Sequence, residues 1–123
     1  MFEVTVRTHF SAAHRLTNYA GNCARWHGHN WEVLATLAAA EVNDLGLAVD
    51  FREVKQVLRD ILGELDHTDL NQHPAFATQN PSCELIARYL YRQLTARFTG
   101  KPARVVRVQV GETPDTNVVY MEP

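Results

Sequence analysis

With 123 residues, 46% of them hydrophobic and 21% charged, the chain has the size and composition of one globular domain, which we expect to span residues 1–123. Its formal net charge of −2 at pH 7 argues against nucleic-acid binding, which relies on a basic surface. The longest apolar run, residues 33–40, is far shorter than a membrane span, so we expect a cytosolic protein that acts on a small molecule.

Two extended segments are predicted in the first 40 residues. Apolar and polar side chains alternate from Phe2 onwards, which predicts a half-buried strand that reaches about Ala13. A second extended segment runs from about His27 to Ala40. We expect the two to pair antiparallel, and the long polar connection between them is of the kind that often carries functional residues.

A first helix is predicted to follow. Asp50 is a suitable N-cap for a helix that runs to about Leu65, and Glu53 is placed to complete a reciprocal cap. The apolar residues at helical spacing predict one buried stripe. They are Phe51, Val54, Leu58, Ile61, Leu62 and Leu65.

A second helix is predicted to start at Asn80, a capping residue followed by Pro81 at the first helical position. Gly100 marks its end. Two further strands, 105–110 and 117–121, then form a hairpin around residues 113–116. The order β-β-α-α-β-β predicts an α+β fold, with a four-stranded antiparallel sheet and two helices on one face, whose exposed edges could pair with other copies of the chain.

Three histidines form a candidate metal site. His27 and His29 are two positions apart in an extended segment, so both face the same side with their Cα atoms roughly 6–7 Å apart. Antiparallel pairing could bring His14 beside them, and three imidazoles around zinc leave one position open, as in catalytic sites. Alternatively, the first two are a chance pair and His14 is a surface residue. His9 and His73 are weaker candidates.

Further residues are candidates for proton transfer and binding. Cys23 lies four residues before His27, so its thiol can approach a ligand on the metal, or can itself be the fourth ligand of a structural zinc site. Asp66 can orient His67, although a histidine near a helix C-terminus is also favoured by the helix dipole. Glu112 could bind a guanidine-like group through paired hydrogen bonds, or could simply be solvated.

Short motifs cover nearly the whole chain in a specific order. They are Phe10-Ser11-Ala12-Ala13-His14-Arg15-Leu16, Cys23-x-x-x-His27-Gly28-His29, Val49-Asp50-Phe51, Leu65-Asp66-His67-x-x-Leu70-Asn71, Asn80-Pro81-Ser82-x-Glu84 and Glu112-Thr113. Their order and spacing resemble the 6-pyruvoyl-tetrahydropterin synthase superfamily. The three residues between Cys23 and His27 are similar to the spacing in its bacterial branch, the 6-carboxy-5,6,7,8-tetrahydropterin synthases.

The resemblance implies a zinc-dependent lyase. It would convert 7,8-dihydroneopterin triphosphate to 6-carboxy-5,6,7,8-tetrahydropterin, with release of acetaldehyde and triphosphate, in the biosynthesis of queuosine and other 7-deazapurines. The family also implies the tunnelling fold and a homohexamer with sites between subunits. A protein on this scaffold could instead make 6-pyruvoyl-tetrahydropterin or shorten other pterin side chains. An alternative of a different class is a binding module whose zinc is purely structural.

The resemblance also implies a role for each site residue. By position, the zinc ligands are His14, His27 and His29, and the residues that move protons are Cys23, Asp66 and His67. The residues that bind the pterin are Glu112, which anchors the ring, and Ser82, Cys83 and Glu84, which line the pocket, the first two through their backbone. Two positions depart from the family pattern: Ser82 replaces the more usual threonine, and Asn22 replaces a basic residue.

Overall fold

The computed structural model describes residues 1–18, 21 and 24–123. Its elements are the strands β1 (Phe2–His14) and β2 (His27–Ala39), the helix α1 (Phe51–Leu62), the strand β3 (Thr68–Asp69), the helix α2 (Cys83–Phe98) and the strands β4 (Arg104–Thr113) and β5 (Thr116–Tyr120). Two short 3₁₀ turns, 70–72 and 74–76, lie between β3 and α2. Among the described residues, no helix is long and apolar enough to cross a membrane.

The strands form one mixed sheet in the order β3-β1-β2-β4-β5. All neighbours are antiparallel except β3, which pairs parallel with β1 through Thr68 and Asp69. Helix α1 packs on β1, and α2 packs on β4 and β5. The predicted α+β class is therefore confirmed, but the sheet has five strands among the described residues rather than four. A two-residue strand shows no alternation of apolar and polar side chains, so the pattern could not reveal it.

The register between β1 and β2 decides which side chains face the helices. Phe10 pairs with Trp31, and their stacked rings, with centroids 5.9 Å apart, are buried in the core. Side chains alternate along a strand, so the register that buries these two rings also places His14, His27 and His29 on the same face of the sheet.

Helix α1 begins as predicted, with Asp50 as its N-cap. The carboxylate of Asp50 accepts a hydrogen bond of 2.9 Å from the backbone N–H of Arg52. Glu53 does not close a reciprocal cap, because its carboxylate forms an ion pair with Lys101 at the far end of α2. That ion pair links the start of one helix to the segment that follows the other.

The buried face of α1 agrees with the predicted stripe at Val54, Leu58, Ile61 and Leu62, but it also includes Val57, which the prediction missed. Phe51 is 56% exposed, so that part of the prediction was wrong. The helix also ends at Leu62, and the buried Leu65 follows it in a turn. The buried residues of the helix are Val54, Val57, Leu58, Ile61 and Leu62.

Helix α2 begins at Cys83, and its N-cap is Ser82 rather than the predicted Asn80. The hydroxyl of Ser82 accepts a hydrogen bond of 3.2 Å from the backbone N–H of Leu85. The amide of Asn80 is unavailable as a cap because it bonds to the backbone of Thr17, at 2.9 and 3.0 Å. A tertiary contact thus moves the start of the helix two residues along the chain.

Candidate metal centre

Three imidazoles converge where β1 ends and β2 begins. One nitrogen each from His14, His27 and His29 lies within 4.8 Å of the other two, and the ring centroids are 4.5 to 5.2 Å apart. The antiparallel register places His14 directly opposite His27, and His29 follows two positions later on the same face. The structure therefore brings together the three histidines that the sequence singled out, and they could form a metal site.

Backbone carbonyls orient two of these rings. The Nδ1 atom of His14 lies 2.8 Å from the carbonyl oxygen of Pro81, and the Nδ1 atom of His27 lies 2.7 Å from that of Arg25. A carbonyl oxygen only accepts, so each Nδ1 carries the hydrogen and donates. In the neutral ring the lone pair is then on Nε2, which is the arrangement found in metal-binding histidines.

Two of the candidate donor atoms are buried and have no partner among the described residues. The Nε2 atoms of His14 and His29 are buried and have no hydrogen-bond partner among the described residues, which is costly unless an ion or a water completes the site. Burial is the largest influence on both rings and lowers the pKa of each below its ordinary value, so they are neutral near pH 7. Neutral, buried nitrogens facing one another are a donor set that fits zinc.

A carboxylate borders the three rings. The oxygens of Glu112, on β4, lie 3.9 Å from Nε2 of His14 and 3.6 Å from Nε2 of His29. Both distances are too long for a hydrogen bond. The Glu112 side chain is only 31% exposed, so it is not simply solvated. It faces the space next to the imidazoles, where a ligand could meet it.

The first turn of α2 lies next to this carboxylate. Pro81, whose carbonyl orients a histidine, directly precedes the cap residue Ser82. The thiol of Cys83 donates a hydrogen bond of 3.0 Å to the carbonyl oxygen of Val110, and burial raises its pKa to about 11. Cys83 is therefore not a thiolate at neutral pH, and its side chain serves packing. Glu84 is exposed in the same turn.

Asp66 and His67 form a pair, but this pair lies apart from the three imidazoles. Nδ1 of His67 is 3.0 Å from a carboxylate oxygen of Asp66. The backbone N–H of Ser11 donates to Asp66 at 2.9 Å and lowers its pKa, and the backbone N–H of His67 donates to the Ser11 carbonyl oxygen. These bonds lie on the edge of β1 that faces β3, opposite to β2. Within one chain, the pair is therefore separated from the histidines by the width of β1.

The position of His67 argues against the simple helix-end explanation. Helix α1 ends at Leu62 with Gly63 as its C-cap, and a dipole effect is confined to the last turn. The backbone of His67 has a φ of 58°, in the left-handed region that non-glycine residues rarely adopt, and its side chain is 81% exposed. The local structure thus holds an exposed imidazole in an uncommon conformation.

Two residues of interest, Cys23 and Asn22, lie outside the described residues. The role of the Cys23 thiol remains a prediction.

The sequence reasoning missed the groups that support the imidazoles. Trp31 contacts His14 and His29 edge to face, with ring centroids 4.8 and 5.1 Å apart. It alternates in phase with the histidines of β2, so the strand period could have placed it there. The carbonyls of Pro81 and Arg25 could not be foreseen, because every residue has one.

Comparison with known proteins identifies the family. A family model described as 6-pyruvoyl tetrahydropterin synthase matches residues 3–123. The chain belongs to this family. A 6-carboxy-5,6,7,8-tetrahydropterin synthase of Bacillus subtilis is 36% identical over 127 residues, which cover 97% of this chain and 84% of that protein. A putative 6-carboxy-5,6,7,8-tetrahydropterin synthase of Archaeoglobus fulgidus is 30% identical over 112 residues, covering 91% and 89%.

Solved structures of the 6-pyruvoyl tetrahydropterin synthase family share the whole fold. The synthase of Caenorhabditis elegans superposes with a TM-score of 0.85 at 27% identity, covering 100% of this chain and 98% of that one. The synthase of Plasmodium falciparum superposes with a TM-score of 0.77 at 20% identity. The predicted tunnelling fold is confirmed, and the chain stands among tetrahydropterin synthases.

Proposed function

We propose that the chain is a zinc-dependent 6-carboxy-5,6,7,8-tetrahydropterin synthase of queuosine biosynthesis. It would convert 7,8-dihydroneopterin triphosphate to the 6-carboxy product and release acetaldehyde and triphosphate. The observation that carries the proposal is the convergence of three imidazoles, two of them with buried and unpaired Nε2 atoms, beside a partly buried carboxylate. The names of the Bacillus and Archaeoglobus relatives support this choice of product.

The three histidines would hold the metal, and other residues would bind the pterin. Zinc bound there would supply a Lewis acid that makes the C–H protons of the substrate side chain more acidic. The carboxylate of Glu112 can accept two parallel N–H bonds from the guanidine-like edge of a pterin. The backbone around Ser82 and Cys83, with Glu84, would line the same pocket.

Proton transfer is assigned to Cys23 and to the pair of Asp66 and His67. Asp66 holds the hydrogen of His67 on Nδ1, so the exposed Nε2 of the neutral ring is the atom that can accept a proton. Because this pair lies on the far edge of β1, we propose that it serves the site of a neighbouring subunit in a homohexamer. Edge strands with unpaired backbone groups supply a means of joining such subunits.

Mixing of two inactive variants tests the shared site. His14→Ala would remove the metal site of its own subunit, and His67→Ala would remove the proton-transfer group offered to the neighbour. Dissociating, mixing and reassembling the two variants should restore part of the activity, and each variant treated alone should stay inactive. If the mixture also stays inactive while native mass spectrometry of differently tagged variants shows mixed hexamers, the two groups belong to one subunit's site; activity of His67→Ala alone would show that the pair has no catalytic role.

A second product is favoured by one observation. The solved C. elegans relative, at 27% identity, is a 6-pyruvoyl tetrahydropterin synthase, and the matching family model carries the same description. Incubation of the zinc-loaded protein with 7,8-dihydroneopterin triphosphate, with products identified by mass, separates the alternatives. Acetaldehyde with 6-carboxytetrahydropterin supports the proposal, and a 6-pyruvoyl product supports the second candidate.

The chelator-treated protein is the control for this assay. Loss of turnover with retention of the fold indicates a catalytic metal. No turnover by the zinc-loaded protein, together with unfolding on metal removal, would instead indicate a binding module with a structural zinc.

A further inference from the structure

A hollow of about 680 Å³ opens beside the metal centre. This volume lies within the range of about 300–1,000 Å³ typical of small-molecule sites. Its walls are formed by the segment after β1, the residue before β2, the 3₁₀ turns and the start of α2. The lining residues that matter here are Arg15, Thr17, Trp26, Asn71, Asn80 and Ser82.

The charge of the hollow suits an anion. Arg15 is the one charged side chain among its described lining residues, and none of these carries a carboxylate. The guanidinium of Arg15 lies 4.9 Å from the ring centroid of Trp26, a cation–π contact that holds it against the wall. A guanidinium that lies over a ring can still present the N–H groups along its edges to a phosphate in pairs.

Two asparagine side chains hold the wall that carries Arg15. Asn71 accepts from the backbone N–H of Arg15 at 2.9 Å and donates to its carbonyl oxygen at 3.1 Å. Asn80 accepts from the N–H and the hydroxyl of Thr17, both at 2.9 Å, and donates to its carbonyl oxygen at 3.0 Å. Each amide thus satisfies the backbone N–H and C=O of one residue, as a neighbouring strand would do. A backbone held in this way is ordered before a ligand arrives, which lowers the entropic cost of binding.

The hollow and Glu112 are formed by different segments around the imidazoles. Trp26 directly precedes the first histidine of β2, whereas β4 pairs with β2 only from Glu32 onwards. Arg15 likewise directly follows the histidine that ends β1. A ligand centred on the imidazoles could therefore contact both the carboxylate of Glu112 and the guanidinium of Arg15.

We propose that this hollow is the subsite for the phosphate chain of the substrate and that Arg15 is its principal cation. The proposal rests on the proposed function for the identity of the substrate, since 7,8-dihydroneopterin triphosphate carries three linked phosphates. The hydroxyl of Ser82 lies along the same wall, and because it accepts from Leu85 it still has its own hydrogen to donate to a phosphate oxygen. Glu112 would then recognise the ring of the same molecule, and Arg15 its leaving group.

Calorimetric titration of the zinc-loaded protein with inorganic triphosphate tests the subsite. Loss of a hydrogen-bonded charge should weaken binding about 10- to 100-fold in Arg15→Gln, with Arg15→Lys in between. Arg52→Gln is the matched control, because it removes the same charge from a side chain that is 91% exposed on α1. Its affinity should equal that of the wild type. Zinc analysis after each titration shows whether triphosphate has stripped the metal.

Enzyme kinetics separate this inference from the proposed function. Arg15→Gln should raise KM for 7,8-dihydroneopterin triphosphate, while the affinity for 7,8-dihydroneopterin, which has no phosphate, should stay unchanged. If Arg15→Gln turns over the substrate with an unchanged KM and binds triphosphate with unchanged affinity, the proposed subsite is refuted, while the proposed function is not. Absence of turnover, with triphosphate binding that still depends on Arg15, refutes the function and leaves the subsite standing. If Arg15→Gln does not fold, Arg15→Met, which keeps an apolar stem over Trp26, tests the same point.

Discussion

The imidazole of His14 and the carbonyl oxygen of Pro81 form a hydrogen bond of 2.8 Å that joins the end of β1 to the start of α2. The bond leaves Nε2 of His14 directed at the other two histidines. Since His14 is only 1% exposed, it belongs both to the core and to the candidate metal centre. His27 is half-buried and belongs mainly to the candidate metal centre.

Alanine substitutions should separate these two contributions. Both His14→Ala and His27→Ala should lose zinc, measured by elemental analysis. His14→Ala should also lower the free energy of unfolding by roughly 2–4 kcal/mol, because it leaves a cavity and an unpaired carbonyl, whereas His27→Ala should cost under about 1 kcal/mol. Urea denaturation in the presence of chelator compares the metal-free proteins. His9→Ala, on an exposed residue of β1, should change neither property.

The buried thiol gives a pH-dependent prediction. The sequence has two cysteines, so Cys83 is the one thiol of a Cys23→Ala variant. Its pKa is raised from 9.0 to about 11, which leaves a thiolate fraction of about 10⁻³ at pH 8. A thiol reagent should therefore react slowly with the folded variant at pH 8 and quickly after denaturation.

The same pKa shift predicts how stability depends on pH. Between pH 9 and about 11 the unfolded chain releases the Cys83 proton while the folded chain keeps it. The free energy of unfolding should therefore fall as pH rises through this range, and Cys83→Ala should show a smaller decline. Rapid modification of the folded protein, or an equal decline in both proteins, would contradict the burial of this thiol.

Two substitutions of His67 separate the cost of its left-handed backbone conformation from the part of its imidazole in proton transfer. Asparagine tolerates the left-handed conformation better than alanine, so His67→Asn should keep the free energy of unfolding within about 0.5 kcal/mol, while His67→Ala should lose about 1 kcal/mol. Both variants should lower kcat about 10²- to 10⁴-fold if the imidazole transfers protons. Steady-state kinetics at full zinc occupancy give the answer, and normal turnover by either variant would show that the ring takes no part.

The cap of α2 gives a prediction about stability alone. Ser82→Ala removes the acceptor for the N–H of Leu85 and should cost about 1 kcal/mol. Ser82→Thr keeps a hydroxyl at the cap and should lie within about 0.5 kcal/mol of the wild type. Denaturant titration measures both, and a neutral Ser82→Ala would show that another group caps the helix.

The parts of the fold that depend on periodicity were predictable. The alternation that buries Phe10 and Trp31 places His14, His27 and His29 on the same face of the sheet, and the observed register then brings His14 opposite His27. The shared face of the imidazoles therefore follows from the pattern of the two strands. The start of α1 was predictable for a similar reason, because the Asp50 cap acts within its own segment.

The parts that depend on tertiary contacts were not predictable. Asn80 is as good a cap as Ser82, and only its bonds to Thr17, far away in sequence, exclude it. Strand β3 exists because Thr68 and Asp69 find a partner in β1, and two residues are too few to show a pattern. The placement of Asp66 and His67 at the β3 edge depends on Ser11 in the same way.

The rings of His14 and His27 are oriented by main-chain oxygens, which no side-chain substitution can delete. An alanine scan would therefore not detect either hydrogen bond. A displacement of the backbone would change the bond to His14, because Pro81 lies just before a sixteen-residue helix. Repacking anywhere along that helix, even at Leu94 in its second half, could shift its first turn and with it the orientation of the His14 ring.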